Sequence, residues 1–113
     1  MSVMMRRRDR DYGPDKRYDV LVWGSDDRSL VQADNIARKR GYDEIDASPP
    51  KTHEDDGETL NLKLAWKTTF ADRDRADDEV YDLYKEEGVQ IAPDDKATLE
   101  ALERAKKRRD ETP

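Results

Sequence analysis

The stretch YDVLVWGSDDRSLVQADNIARKRGY at residues 18–42 decides the fold, because it reads as a strand, a tight turn and a helix. Four consecutive apolar residues at 20–23 predict a strand that is buried on both faces. Gly24 permits a sharp exit from the strand, and the hydroxyl of Ser25 is expected to cap the helix. Cations crowd the last helical turn, and Gly41 supplies a left-handed stop. Every local signal in this unit agrees.

Helical and alternating patterns beyond this unit predict the rest of the fold. Residues 59–67 alternate apolar with polar side chains, which is typical of a half-buried antiparallel strand. The other expected ranges are 43–47 for an edge strand, 75–87 for a second helix, 89–91 for a last strand and 93–109 for a third helix. The resulting order predicts an α+β fold, a ferredoxin-like βαββαβ sandwich with an extra C-terminal helix.

Three segments are expected along the chain. Residues 1–17 contain a Gly-Pro break and no apolar periodicity, which predicts a flexible basic arm. Residues 18–92 form the ferredoxin-like domain, and residues 93–113 form a C-terminal helix with a basic end. One face of such a sheet is open, yet the apolar run at 20–23 points both ways. We therefore expect the third helix, another copy of the chain or a partner to cover that face.

Composition places the chain among charged globular proteins. Of its 113 residues 34% are hydrophobic and 44% charged, but the apolar residues are periodic, which argues against disorder. The absence of cysteine excludes a disulfide framework and thiolate chemistry. No stretch approaches the roughly 20 apolar residues that span a bilayer, so we expect a cytoplasmic or virion protein without a membrane partner. Asp outnumbers Glu nineteen to nine, a bias that resembles proteins of salt-loving archaea and their viruses.

Charge is unevenly distributed along the sequence. Residues 1–17 carry a net charge of +3 and residues 96–113 a net charge of +2, whereas residues 18–95 carry −11. The basic ends are thus the candidate contacts for a protein partner, a second copy or nucleic acid, although interspersed acids such as Asp9 and Asp11 dilute the N-terminal charge. The candidate partner-binding residues are Arg6, Arg7, Arg8, Arg10, Trp23, Lys106, Lys107, Arg108 and Arg109.

No catalytic, metal or cofactor site is expected. The only histidine, His53, lies in the acidic loop at 48–58, but its spacing from the neighbouring acids matches neither a calcium-binding loop nor a zinc pattern. A nucleophile with an adjacent base is missing, since Ser25 reads as a helix cap. The carboxylates do not fall in apolar stretches, where a general acid would need to be. We therefore expect a protein that is not an enzyme.

Residues 18–91 resemble a family of small bacterial regulators that bind and inhibit ribonuclease E, the regulators of ribonuclease activity B. The matching features are the SDD helix opening at 25–27, the helix end at Gly41 and Tyr42, the acidic EDDG loop at 54–57 and the acid-rich second helix. The chain departs from the family at 89–93, where VQIAP replaces a Tyr-Asp-Gly-Trp-like segment, and a basic helix replaces a long acidic tail. The resemblance implies a non-catalytic protein that acts by binding another.

Two functional hypotheses follow. The first is a non-enzymatic protein-binding module that serves as a subunit or adaptor of a larger assembly, such as a virion or complex of a halophile. The second is a regulator that contacts RNA, DNA or a nuclease through its basic ends. Nucleic-acid affinity should fall steeply with salt, whereas apolar docking should survive it.

Overall fold

The structure is a computed structural model that describes residues 3–12, 15–46 and 64–111. The elements in chain order are β1 (Val3–Tyr12), β2 (Asp15–Gly24), α1 (Asp27–Arg40), β3 (Asp43–Asp46), β4 (Leu64–Phe70), α2 (Arg73–Glu86), β5 (Gln90–Ile91) and α3 (Lys96–Glu111). Over these ranges five strands form one mixed sheet in the order β3-β4-β2-β1-β5. The predicted α+β sandwich with an extra C-terminal helix is confirmed.

Strand β1 is the main departure from the predicted layout. The sequence predicts a flexible basic arm at residues 1–17, but Val3–Tyr12 forms a full strand. It pairs antiparallel with β2 along its whole length and parallel with β5 at Met4 and Met5. Strand β1 therefore stands between β2 and β5, which a four-stranded ferredoxin-like sheet would pair directly. The folded unit includes β1 and does not begin at residue 18.

Side-chain alternation explains why this charged stretch is a strand. Val3 and Met5 face the helices and belong to the core, where they are 6% and 0% exposed. The next helix-facing residue is Arg7, whose guanidinium binds the carboxylate of Asp77 on α2. Because a buried ion pair takes the place of the third apolar residue, a search for apolar periodicity misses the strand.

Helix α1 is capped one residue later than the sequence predicts. Asp26, and not Ser25, is the N-cap: its carboxylate accepts a hydrogen bond from the Ser29 backbone N–H at 2.8 Å. The Ser29 hydroxyl in turn accepts one from the Asp26 N–H at 3.1 Å. This reciprocal pair satisfies two exposed N–H groups of the first turn, and its hydrogen bonds lower the pKa of Asp26. Gly41 ends the helix as predicted, with φ of 77°.

Gly24 is required by the close approach of two backbone segments. A Cβ at this position would lie 2.3 Å from the carbonyl carbon of Ser29 and 2.4 Å from the backbone nitrogen of Leu30. Both atoms belong to the first turn of α1, so any side chain at position 24 would push the helix away from the end of β2.

All three helices lie on one side of the sheet. Helices α1 and α2 pack over the central strands, and α3 packs against α2 and β1. Tyr84 on α2 and Leu99 on α3 are apolar residues at helical spacing, but they face solvent and are 49% and 38% exposed. Because α3 sits beside α2, it does not cover the second face of the sheet as one prediction proposed. The helix residues in the main core are Ala33, Ile36, Ala37, Ala76, Val80, Leu83 and Leu102.

Strand β4 confirms the described part of the predicted alternating strand. Trp66 faces the core and is 4% exposed, whereas Lys67 lies on the opposite face. Residues 59–63 of that prediction, and the loop at 48–58 with His53, lie outside the described residues. None of the described helices is long and apolar enough to cross a membrane.

Candidate docking surface on the open sheet face

The sheet face opposite the helices, which we call the open face, carries an apolar row across four strands. Strand register aligns Met4 with Trp23, and Ala65 with Ile45. Trp23 and Ala65 lie one position beyond the antiparallel pair formed by Val22 and Trp66, so they are neighbours on the opposite face of the sheet. None of the four row residues belongs to the core of the described structure, which lies on the helix side. With strands about 4.8 Å apart, the row is about 14 Å long.

Exposure along the apolar row is intermediate. Met4, Trp23 and Ile45 are half-buried, and the small Ala65 is 4% exposed. Leu21, two residues from Trp23 on the same face, is also half-buried. The apolar run of β2 is therefore buried on one face and partly accessible on the other, whereas its pattern predicts burial on both faces. Trp23 lies on the partly accessible face, where a binding partner could contact it.

An arginine column runs along β1 at right angles to the apolar row. Arg6, Arg8 and Arg10 alternate with residues that face the helices, so all three lie on the open face. Asp9 lies on the other side, where its carboxylate is 2.5 Å from a guanidinium nitrogen of Arg7. Alternation thus separates Asp9 from the arginine column, although the two are mixed in the sequence. The side chain of Asp11 lies outside the described part of the chain.

A buried carboxylate holds the arginine column in place. Asp19 on β2 is 0% exposed and accepts hydrogen bonds from Arg8 at 3.0 Å, from Arg10 at 2.9 Å and from the Thr69 hydroxyl at 2.8 Å. Burial alone would raise the pKa of Asp19, but these three hydrogen bonds together hold it below its ordinary value. The carboxylate therefore stays charged and fixes two guanidinium groups side by side.

The open face is positive although the protein is acidic. Its described side chains include five cations and three carboxylates, a net charge of +2, against −6 for the whole chain. Arg6 is the most exposed of the column, at 59%, and lies 3.8 Å from Asp95 at the start of α3. The charged residues of this face are Arg6, Arg8, Arg10, Arg17, Lys67, Asp15, Asp19 and Asp43.

Arg7, which the sequence groups with its neighbours, lies inside the protein. Its side chain is 3% exposed, its Nε donates to Asp77 at 3.1 Å and its guanidinium lies 5.2 Å from the centre of the Tyr18 ring. Its backbone N–H donates to the Thr98 hydroxyl at 2.8 Å, which ties the edge of β1 to α3. Arg7 is thus a packing residue, since these buried partners leave no surface for a docking role.

The basic C-terminal end is largely engaged within the protein. Arg104 donates to Asp77 at 2.8 Å and Arg108 to Asp78 at 2.6 Å, while Arg109 lies 3.0 Å from Asp82 and stacks on Tyr81. These contacts join α3 to the acidic face of α2 over about one and a half helical turns. Of the predicted C-terminal contacts, the exposed Lys106 and Lys107 point away from this interface.

Other clusters of polar side chains are structural. A pocket of about 470 Å³ between α1 and the turn after α2 is lined by carboxamides and by Lys39 and Glu87, whose side chains pair at 2.7 Å. Beside it, Glu79 accepts hydrogen bonds from Arg40 and from the Tyr42 hydroxyl. Burial and the Glu79 carboxylate both raise the pKa of Tyr42 above its ordinary value. These groups connect α1 to α2.

Comparison of the chain with known proteins found no matching family model, no matching curated protein and no matching solved structure. The resemblance to the ribonuclease E regulators therefore stays a prediction.

Sequence reasoning found part of this surface and missed its organisation. It named Arg6, Arg8, Arg10 and Trp23, which the structure brings together on one face. It missed Asp19, which organises the column, and the two cations Arg17 and Lys67 on neighbouring strands. The signal was present in the run RRRDRD, since a strand period of two separates its even positions from its odd ones.

Proposed function

We propose that this protein is a non-enzymatic binding module that docks a protein partner on the open face of its sheet, as a subunit or adaptor of a larger assembly. The observation that carries the proposal is Trp23, which lies outside the core in an apolar row beside three aligned arginines. Such a row, bordered by charge, has the layout of an interface centre with a polar rim.

Residue types support the proposal. Tryptophan and arginine are the side chains that most often dominate protein–protein binding energy, because they combine large contact area with directed hydrogen bonds. On the open face these types lie within one strand pairing of each other, since Met4 pairs with Trp23 and precedes Arg6 by two residues. The helix side of the sheet, by contrast, is closed by the protein's own core.

The wider setting is part of the proposal. The aspartate-rich composition suits an assembly of a halophile, such as a virion, because a high surface charge keeps a protein soluble in concentrated salt. The resemblance to regulators of ribonuclease E implies the same class of function, a protein that acts by binding another. Apolar docking around Trp23 is compatible with both settings, since salt strengthens apolar contacts.

The test is salt-resistant capture with matched variants. Wild type, Trp23→Ala and Val31→Ala, each with a C-terminal tag, are incubated with extract of the source cells and washed at 2 M salt. Val31 is a suitable control because it is 59% exposed on α1, away from the open face. We expect at least one protein to be retained by wild type and Val31→Ala and lost with Trp23→Ala, as judged by mass spectrometry.

Two results would overturn the proposal. One is equal retention of every captured protein by all three baits. The other is capture of nucleic acid alone, released as the salt concentration rises, which is the behaviour of phosphate contacts. Near-UV circular dichroism of the three baits establishes that the comparison is made between folded proteins.

A further inference from the structure

We propose that the segment received by the open face is an extended acidic peptide whose carboxylates lie on the arginine column and whose apolar residue packs on Trp23. This inference rests on the proposed function and specifies the chemistry of the partner. It predicts a motif in which one apolar residue is separated by short, regular steps from several acidic residues.

The spacing of the arginine column supplies the first argument. Arg6, Arg8 and Arg10 follow one another at every second residue of β1, so their Cα atoms are roughly 6.7 Å apart. An extended peptide repeats its side chains with the same period. Carboxylates at alternate positions of such a peptide therefore meet successive guanidinium groups without a change of register.

Preorganisation supplies the second argument. Arg8 uses its Nε and one Nη to bind Asp19, and its side chain remains 47% exposed. A guanidinium has five N–H donors in a rigid fork, so the bonds to Asp19 orient Arg8 while leaving donors toward solvent. Because the guanidinium is fixed before binding, a carboxylate that binds it incurs little ordering cost.

The position of Trp23 supplies the third argument and gives the motif a direction. Met4 pairs with Trp23, and Met4 stands one two-residue step before Arg6. The apolar row therefore lies at one end of the arginine column and not along its side. A peptide that runs along β1 meets an apolar surface first and cations afterwards, so its apolar residue belongs at one end of its acidic run.

Charge and composition favour a peptide over a single-stranded nucleic acid. In the apolar row Trp23 is the one aromatic side chain, whereas base stacking uses several aromatics in succession. The neighbours of Trp23 in the row are aliphatic, and the carboxylates of Asp15 and Asp43 border the cations. A net charge of +2 suits a few carboxylates better than a continuous polyphosphate.

The experiment measures binding of three labelled probes by fluorescence anisotropy at 0.1 M salt. The first is a 12-residue peptide with one leucine followed by three glutamates at every second position. The second has the same composition in scrambled order, and the third is a 12-nucleotide oligothymidine. We expect the patterned peptide to bind the full-length protein at least tenfold more tightly than the scrambled peptide.

Variants locate the site. Arg6→Gln should weaken binding of the patterned peptide by about fivefold, the effect of one partly exposed ion pair, and Trp23→Ala should weaken it more than tenfold. Lys106→Gln, which removes an exposed cation from α3, is the matched control and should leave the affinity unchanged. Arg6 is a safe site for substitution because it does not hold Asp19.

The outcomes separate this inference from the proposed function. If the patterned and scrambled peptides bind equally, or if Lys106→Gln weakens binding as much as Arg6→Gln, the inference fails, while Trp23-dependent capture at high salt still stands. Tighter binding of oligothymidine than of the patterned peptide would identify nucleic acid as the ligand and overturn the inference. Self-association through Trp23, seen by sedimentation, would also overturn it.

Discussion

Two aspartates, each 0% exposed and each held by two arginines, lie on opposite faces of the same sheet. Asp77 on the helix side binds Arg7 and Arg104, whose side chains are 3% and 36% exposed. Asp19 on the open face binds Arg8 and Arg10, whose side chains are 47% and 25% exposed. The carboxylates are equally buried, and the clearest difference is that Asp77 holds one fully enclosed cation, Arg7, whereas both cations held by Asp19 reach the surface.

The difference separates a structural ion pair from a binding surface. Around Asp77 the guanidinium of Arg7 is enclosed between β1, α2 and α3, and loss of Asp77 would leave it with the largely exposed Asp9 as its ion-pair partner. Around Asp19 the guanidinium groups remain at the surface, where water or a ligand can reach them. The same arginine-rich run of β1 therefore stabilises the fold with Arg7 and presents a surface with its even-numbered neighbours.

The largest expected effect comes from breaking the enclosed pair. Asp77→Asn removes the buried partner of Arg7 and should lower the free energy of unfolding by about 3 kcal/mol, because Arg7 then keeps only the largely exposed Asp9 to compensate its buried charge. Urea unfolding followed by circular dichroism measures this loss. A loss below about 1 kcal/mol would mean that Asp9 alone compensates the charge of Arg7.

The corresponding change on the open face should cost less. Asp19→Asn should lower the free energy of unfolding by about 1.5 kcal/mol, since Arg8 and Arg10 can turn to water when the charge is removed. The comparison between the two sites is wrong if urea unfolding shows Asp19→Asn to be the more damaging variant. Near-UV circular dichroism gives an independent measure of whether the open face keeps its structure.

The stabilities of wild type and Asp19→Asn should also respond differently to acid. Because the folded-state pKa of Asp19 is lowered, its contribution is complete above its ordinary value near 3.9 and is lost as the pH falls through the lowered value. The stability advantage of wild type over Asp19→Asn should therefore shrink as the pH is lowered from about 4. An advantage that stays constant as the pH falls would contradict the assigned cause.

A third carboxylate, Glu79, extends the comparison with a smaller expected loss of stability. Glu79 binds Arg40 and Tyr42, and Tyr42→Phe removes one donor while the ion pair stays, so the expected loss is about 1 kcal/mol. The raised pKa of Tyr42 means that this contribution is present below pH 10 and lost as the pH rises further. Urea unfolding at pH 8 and pH 11 should show wild type losing more stability than Tyr42→Phe.

The smallest effect is expected where both partners are exposed. Asp78→Asn removes one of the two carboxylates that pair with Arg108, and the side chains of Arg108 and Asp78 are 34% and 41% exposed. Solvent screens such pairs, so the loss should stay below about 1 kcal/mol and diminish further in 1 M salt. A larger loss would show that the α2–α3 pairs act as one network and not as separate surface contacts.

Local patterns predicted the helices and the central strands because each has a self-contained signal. Residues 18–42 carry a strand run and a glycine stop, and the structure contains both. The N-cap assignment to Ser25 was wrong because the Asp26 carboxylate pairs reciprocally with Ser29, a signal one residue further along. The strand at Val3–Tyr12 was missed because its third helix-facing position is Arg7, whose partner lies seventy residues away in sequence.

The open face was predicted only in outline for the same reason. The apolar run at 20–23 predicted that something covers the second face of β2, and Trp23 was named as a candidate contact. The role of Asp19 depends on Arg8, Arg10 and Thr69, which reach it from two other strands. No spacing within one segment encodes a site of that kind, because strand order and register create it.

The place of β1 between β2 and β5 has a consequence for how the molecule is made. Met4 pairs with Gln90, 86 residues later in the sequence, so the sheet stays incomplete until residue 90 has left the ribosome. Until then the edge of β1 that pairs with β5 is exposed. Every second residue from Arg6 to Arg10 on this strand is an arginine, and such charges discourage aggregation at an exposed edge. Deletion of residues 1–12 would remove the strand that connects β2 to β5, together with the contacts that β1 makes with α3.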